Sequence, residues 1–122
     1  MLQVQRWDAA RDGVLTASRV RQRFEAQGLW VSEARFQPGA RHAARGTGHD
    51  LLQVVLCGLM KVTIAGDSAI LAAGDTLFVP RGTDSLLEVI GSAPVVACFA
   101  AFLPNGPRAT SAPPDSVGPV WL

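Results

Sequence analysis

From residue 29, hydrophobic and polar residues alternate with a period of two up to a proline–glycine turn at residues 38–39. In this segment, Trp30, Ala34 and Phe36 alternate with Glu33 and Arg35, a pattern typical of a half-buried β-strand. Turn signals rich in glycine separate further apolar runs at residues 51–57, 59–65, 68–71, 76–79, 86–90 and 95–103. Short strands with a turn every several residues predict an all-β domain, either a sandwich or a barrel.

The N-terminal part of the chain has a different pattern. Residues 2–7 alternate and predict an edge strand, while residues 8–13 read as a polar connector. Thr16 is placed to cap a helix over residues 17–27, and Gly28 is placed to end it. We therefore expect one short helix near the N-terminus and strands in the remainder of the domain.

Composition and charge describe a globular chain without a strong electrostatic preference. Of the 122 residues, 48% are hydrophobic and 17% are charged, and the net charge is +1. These values favour a folded domain and give no general attraction to nucleic acid or to a membrane surface. Because the chain has no apolar run of roughly 18 residues and no signal-peptide pattern, we expect a cytoplasmic protein. Cys57 and Cys98 each lie in an apolar run, so both are expected to be buried and reduced.

Two segments differ in composition and predict the domain organisation. Residues 1–103 are expected to form one domain, followed by a proline-rich tail at residues 104–122. Proline mixed with serine, threonine, asparagine and glycine predicts extended or disordered chain. The tail ends in Val120, Trp121 and Leu122, an apolar tip that is either free or docked on this subunit or a neighbour.

Residues 74–85 give the most specific indication of the fold. Gly74 and Gly82 suit backbone conformations that a side chain would crowd. Pro80 ends the strand between them because proline cannot donate a hydrogen bond to the sheet. The segment therefore reads as a turn, a short apolar strand and a second turn.

The spacing of these residues resembles the second motif of the cupin superfamily, and Gly39 and Gly58 match the two glycines of the first. The resemblance centres on residues 38–102 and extends upstream over most of the chain. It implies a small single-domain bacterial cupin, a double-stranded β-helix or jelly-roll-like β-barrel. Because this fold hosts many functions, the resemblance alone implies little about activity.

The positions at which the cupin resemblance implies metal ligands have lost their metal-binding side chains. Arg45, Thr47, Leu51 and Ser85 stand where the motifs have histidine, histidine, glutamate and histidine. Arginine keeps its positive charge and repels a cation, and leucine has no lone pair to donate. We therefore expect no metal cofactor.

A shifted metal site is the alternative, with His42, His49 and Asp84 as ligands of a divalent metal such as Zn, Fe, Mn or Ni. The two histidines are seven residues apart, which is not in itself a metal-binding spacing. Asp84 is one residue from the motif position, and strand parity would normally turn it to the other face. Residues 40–50 have little apolar pattern and predict a loop or an irregular edge strand.

The residues left at the mouth of such a barrel indicate a polar ligand. Gln53 shares the parity of the motif glutamate position and is expected to point inward. Arg45 would present a guanidinium to the cavity, while Thr47 and Ser85 would add hydroxyl groups. This set suits a carboxylate or another anion through charge-assisted hydrogen bonds. The alternative is that residues 40–49 form a solvated loop with Arg45 outside.

Three classes of function remain open, and the sequence does not decide whether the protein is an enzyme. The first is a metal-free cupin that binds a small molecule. The second is a metal-dependent cupin enzyme of the dioxygenase or isomerase type with a non-standard ligand shell, and the third is a metal-independent isomerase or lyase. The resemblance also implies a homodimer, and residues 51–57 are apolar on both faces, which leaves one face for a partner. No nucleic-acid partner is expected, because the arginines are not interleaved with aromatic residues.

Overall fold

The structure is a computed structural model that describes residues 2–102. The predictions about the tail at residues 104–122 and its apolar tip lie outside this range. Residues 2–102 form nine strands and two helices. In chain order these elements are β1 (Gln3–Arg6), α1 (Ala9–Asp12), α2 (Ala17–Glu25), β2 (Trp30–Phe36), β3 (Arg41–Ala44), β4 (Leu51–Cys57), β5 (Met60–Ile64), β6 (Asp67–Leu71), β7 (Asp75–Val79), β8 (Ser85–Val89) and β9 (Val95–Ala101).

The strands form two antiparallel sheets. The larger sheet has the order β1-β7-β4-β9-β2, and the smaller has the order β3-β8-β5-β6. Residues 40–50, for which the sequence left a loop or an edge strand open, contain β3, which pairs with β8 at the edge of the smaller sheet. The all-β architecture predicted from strand period and turn spacing is confirmed.

One end of the barrel is formed by the loop at residues 45–50 and the turn at residues 80–84. Here β4 and β8 begin, while β3, β7 and β9 finish. We call it the mouth end, because the cupin motif positions lie there. Any site built from those positions is therefore positioned by these two connections.

Apolar side chains fill the centre of the barrel between the two sheets. Met60, Val62, Leu77 and Phe99 have no exposed surface. The ring of Phe99 lies edge-on to that of Phe36, with 6.4 Å between ring centroids. Burying each such side chain contributes about 1.5–3 kcal/mol to stability. The barrel interior is thus a packed core at its centre.

Helix α2 covers the outer face of the larger sheet. It begins as predicted at Thr16, whose hydroxyl accepts a hydrogen bond from the Arg19 amide at 3.1 Å. Its buried residues Val20 and Phe24 form a second core cluster together with Val54 of β4 and other residues of the sheet. The face of β4 that the sequence left for a partner subunit is therefore covered by the chain's own helix, and the homodimer stays a prediction.

The segment predicted as a polar connector contains helix α1. The Asp8 carboxylate caps this single turn by accepting a hydrogen bond from the Ala10 amide at 3.0 Å. A helix of four residues is too short to show the helical period in its sequence. Within residues 2–102, neither helix has the length and apolar character needed to cross a membrane.

The two cysteines have different environments. Cys98 is fully buried beneath α2, and burial raises the pKa of its thiol to about 11. Cys57 is exposed, so the prediction that both cysteines are buried is wrong for Cys57. It is the last residue of β4, where the burial of the strand ends.

Candidate functional site

The turns that flank β7 have the backbone conformation that the motif glycines suggest. Gly74 and Gly82 have φ angles of 93° and 75°, in the left-handed region that glycine adopts most easily. The Gly74 amide donates to the carbonyl oxygen of Val55, and its own carbonyl accepts from the Trp7 amide, both at 2.7 Å. The motif therefore fixes β7 between β1 and β4.

Three hydrogen bonds join the two connections at the mouth end. The Gly82 amide donates to the carbonyl oxygen of Thr47 at 2.7 Å. The Gly46 amide donates to Asp84 Oδ1 at 2.6 Å, and the Arg81 amide donates to Asp50 Oδ1 at 2.8 Å. Both carboxylates thus stabilise backbone amides of the opposite connection, and they hold the candidate site residues in place.

Leu51 and Ser85, two of the four positions that correspond to metal ligands, are buried. Leu51 is 5% exposed and belongs to the core between the sheets, and Ser85 is 7% exposed. Ser85 begins β8, in which buried residues alternate with half-buried ones, so it shares the inner face with Leu87 and Val89. The inward orientation expected at these positions is confirmed.

Of the two orientations that the sequence leaves open for Arg45, the structure shows the outward one. Ala44, the last residue of β3, is buried, and the next residue, Arg45, is exposed because the strand alternates. The Thr47 hydroxyl donates to the His49 carbonyl at 2.9 Å and accepts from the His49 amide at 3.1 Å. It therefore closes a local turn. Whether either residue takes part in ligand binding stays a prediction.

Gln53 has the environment expected of a ligand-binding group. It lies on the inner face of β4, between Leu51 and Val55, and is 1% exposed. Its Oε1 atom is buried and has no hydrogen-bond partner among the described residues. Leaving a buried acceptor unpaired costs about 1–3 kcal/mol. Gln53 thus offers a hydrogen-bond acceptor among apolar side chains.

Three further buried polar atoms lack a partner among the described residues. They are Trp30 Nε1, Ser32 Oγ and His49 Nδ1. Trp30 packs against the core between the sheets, and both Ser32 and Gln53 are paired in register with Phe99 of β9. Neither Trp30 nor Ser32 is among the ligand-binding residues that the sequence predicts. Their parity in β2 was visible, but their lack of a partner depends on neighbouring strands.

The residues present do not fit the metal ion that the resemblance implies. Within residues 2–102, no three side chains of the types His, Cys, Asp or Glu come together as a possible metal site. The alternative set of His42, His49 and Asp84 therefore does not form such a group. His42 packs its ring against Phe36 at a centroid distance of 6.1 Å, and Asp84 is bonded to the Gly46 amide.

A cavity of about 240 Å³ opens at the mouth end between β1 and the turn that joins β5 to β6. Two motif residues, Pro80 and Thr83, line it together with Leu2, Gln3, Ile64, Ala65, Asp67 and Phe78. None of the ligand-binding residues predicted from the sequence is among these lining residues. The cavity and the buried polar atoms of the larger sheet are therefore separate features.

Solved cupin structures superpose on a large part of the chain. A cupin protein from Bacteroides fragilis has a TM-score of 0.56 and 20% sequence identity, over 63% of this chain and 67% of its own. The cupin domain of Schizosaccharomyces pombe Cnp3 has a TM-score of 0.57 and 17% identity, over 61% of this chain and 52% of its own. The chain has a cupin fold. The fold implied by the sequence motifs is therefore confirmed.

Proteins that share this cupin fold differ in function. Salicylate 1,2-dioxygenase from Pseudaminobacter salicylatoxidans matches with a TM-score of 0.55 and 20% identity, over 61% of this chain. The chain spans about a fifth of that enzyme, 21% of its length, and about half of the Cnp3 structure, 52%. At such identities the likeness shows the fold and not the activity. No protein-family model and no curated protein sequence matches the chain.

Proposed function

We propose that this cupin-fold chain binds a small polar molecule inside the mouth end of its barrel, without a metal ion. The buried Gln53 carboxamide is the observation that carries the proposal, because its Oε1 atom has no hydrogen-bond partner among the described residues. A bound molecule with an N–H or O–H group would satisfy this acceptor. Polar groups placed in an otherwise apolar pocket are the usual means of orienting a ligand.

The chemistry of the neighbouring unpaired atoms narrows the class of molecule. Trp30 Nε1 can only donate a hydrogen bond, whereas Gln53 Oε1 can only accept one. The two residues lie on β2 and β4, which β9 separates, so their backbones are at least ~10 Å apart. A small molecule that contacts both groups would need one acceptor and one donor. A hydroxy acid or an amide has the required donor and acceptor at neutral pH, whereas a simple carboxylate only accepts.

Arg45 is the group that would favour an anion among these molecules. It is exposed at the mouth end, and arginine keeps its charge at every physiological pH. Ser85, buried on the smaller sheet, adds a hydroxyl on the opposite side of the barrel. A carboxylate ligand oriented toward the rim would be attracted by Arg45 and bonded by the interior groups.

Metal-free binding is part of the proposal because of the side chains at the motif positions. Leucine has no donor atom, and the Thr47 hydroxyl is used in a turn. A second candidate function, a metal-independent isomerase or lyase, is favoured by His49, whose Nδ1 atom is buried without a described partner. An imidazole in that state can serve as a general acid or base.

The Gln53→Leu variant is expected to fold with equal or greater stability and to lose ligand binding. Leucine keeps most of the bulk and removes a buried acceptor atom that has no described partner and that costs the natural chain about 1–3 kcal/mol. Urea unfolding gives the stability. A thermal-shift titration with small hydroxy acids, carboxylic acids and amides gives the binding.

Gln37→Leu is the matched control for Gln53→Leu, because it makes the same substitution at an exposed turn residue. If Gln53→Leu loses more than about 1 kcal/mol relative to this control, the amide is paired in the folded protein and the proposal fails. The proposal also fails if Gln53→Leu binds every ligand of the panel as tightly as the natural chain.

The Arg45→Ala variant is expected to weaken binding of carboxylate ligands about tenfold while leaving neutral ligands unchanged. Arg35→Ala is the control, because it removes an exposed arginine from β2. If Arg45→Ala binds carboxylate ligands as tightly as the natural chain, the anionic part of the proposal is wrong.

The metal-free part of the proposal is tested by elemental analysis of the purified protein. It should give much less than one equivalent of Zn, Fe, Mn or Ni, and a stoichiometric metal would contradict it.

A further inference from the structure

The outer face of the larger sheet has a second cavity, beside the two helices and away from the barrel interior. Its volume is about 130 Å³. Its lining includes Arg6, Trp7, Arg11, Asp12, Arg23 and Gln27. Three of these are arginines and one is a carboxylate, so the lining has an excess of positive charge.

Three carboxylates act on the arginines of this lining: Asp12, Asp75 and, through its charge on Arg11, Asp8. Arg11 donates from Nε and Nη2 to the two oxygens of Asp12, both at 3.0 Å, and Arg23 Nη1 lies 2.8 Å from Asp12 Oδ1. The hydrogen bonds from Arg11 hold the pKa of Asp12 well below its usual range, so Asp12 stays ionised. Arg6 lies 3.4 Å from Asp75, which does not line the cavity.

Unused donors remain on these arginines. Each guanidinium has five N–H groups, and the described contacts occupy two on Arg11 and one each on Arg23 and Arg6. The Arg23 guanidinium also lies over the Trp7 ring at 5.4 Å from its centroid. The Trp7 indole is fixed in turn, since its N–H donates to the Gly13 carbonyl at 2.7 Å.

A neighbouring cavity extends this one along the sheet. Its volume is about 390 Å³, and its lining residues are Gln3, Val4, Gln5, Leu52, Thr76 and Phe78. Because Gln5, Leu52 and Thr76 line both cavities, the two form a single groove, which we call the outer groove. One end has three arginines. The other end combines the apolar side chains of Leu52 and Phe78 with the polar Gln3, Gln5 and Thr76.

We propose that the outer groove binds an amphipathic organic anion, with its carboxylate or phosphate head among Arg6, Arg11 and Arg23 and its apolar tail against Leu52 and Phe78. Charge complementarity carries the choice of occupant, since planar guanidinium groups pair with such heads through two parallel hydrogen bonds. The outer groove lies outside the barrel, so this proposal stands independently of the interior site.

Octanoate is the probe for the outer groove, with acetate as the head alone and 1-octanol as the tail alone. Calorimetry gives the affinity, and the Trp7 indole N–H signal in a nitrogen–proton NMR spectrum reports the location. We expect octanoate to bind and to shift the Trp7 signal. Acetate and 1-octanol should each bind at least about tenfold more weakly, and octanoate affinity should fall as salt is added.

Octyl phosphate, titrated in the same way, distinguishes a carboxylate head from a phosphate head. Tighter binding of octyl phosphate than of octanoate would assign the groove to phosphates.

Gln27→Glu places a carboxylate in the lining without removing an arginine or a described side-chain hydrogen bond. It should weaken octanoate binding about tenfold, as expected for a like charge near the head. Gln22→Glu on α2 is the matched control, with the same change of net charge at an exposed residue that does not line the groove. Its affinity should stay within about twofold of the natural chain.

Several results would overturn the proposal. Octanoate that does not bind, or that binds no better than 1-octanol, shows that the arginines do not recognise the head. Equal weakening by Gln27→Glu and Gln22→Glu shows an effect of net charge rather than of the groove. If the Trp7 signal shifts on dilution of the protein but not with octanoate, the outer groove is an interface between two copies of the chain.

Discussion

The Gly46→Ala variant is expected to lose about 2–4 kcal/mol of unfolding free energy. A Cβ atom at this position would overlap the carbonyl carbon of Gly82 and lie 2.6 Å from the amide nitrogen of Thr83. Both are backbone atoms, so no side-chain rotation can make room. Moving either connection would stretch the hydrogen bonds from Gly46 to Asp84 and from Gly82 to Thr47. Urea unfolding monitored by circular dichroism measures the loss.

Gly48→Ala is the control for this prediction, because it makes the same substitution in the same loop. A Cβ atom at Gly48 would have no neighbour within 4 Å. The control should change stability by no more than about 0.5–1 kcal/mol, in either direction. If both variants have equal stability, the two connections do not touch in solution, and the described arrangement of the mouth end is wrong.

The strands and turns of this fold could be predicted from the sequence because their causes are local. Alternation with a period of two marks a strand wherever one face is buried, and the turn glycines adopt conformations that other residues avoid. Gly74 and Gly82 illustrate this, since both have positive φ angles at the predicted turns. The cap of α2 at Thr16 has a similarly local cause.

The candidate site was harder to predict because its determinants are not local. The orientation of Arg45 depends on where β3 ends, and residues 40–50 have no apolar alternation that would mark this end. The Thr47 hydroxyl could bind a ligand or bond the local backbone, and in the structure it bonds the backbone of His49. The inward position of Gln53 followed from parity, but its lack of a partner followed only from the neighbouring strands.

The two sides of β4 show the same limit. The sequence indicated two apolar faces but not what covers the outer one, which is α2 rather than a partner subunit. Packing between segments that are distant in the sequence decides which element covers this face, and the composition of β4 does not indicate that element. The outer groove is a consequence, because α2 covers only part of the sheet and leaves Leu52, Thr76 and Phe78 accessible beside it.

The Phe99→Ala variant is expected to lose about 3–5 kcal/mol of unfolding free energy, the largest loss that we predict. Phe99 is fully buried in the core between the sheets, and its ring contacts Phe36 edge-on. Alanine would leave a cavity that the surrounding strands cannot close. Because typical domains are stable by about 5–15 kcal/mol, the variant is close to unfolding, so Phe99→Leu, expected to lose about 1–1.5 kcal/mol, provides a folded comparison.

Phe102→Ala is the matched control for Phe99→Ala. Its side chain is 39% exposed just beyond β9, so its loss should cost less than about 1 kcal/mol. Phe99 is paired in register with both Ser32 and Gln53, whose Oγ and Oε1 atoms, respectively, are buried without a described partner. A loss below about 1.5 kcal/mol in Phe99→Ala would show that its ring is loosely packed. A large loss would show that the ring is tightly packed, so a molecule bound inside the barrel as proposed would have to be small.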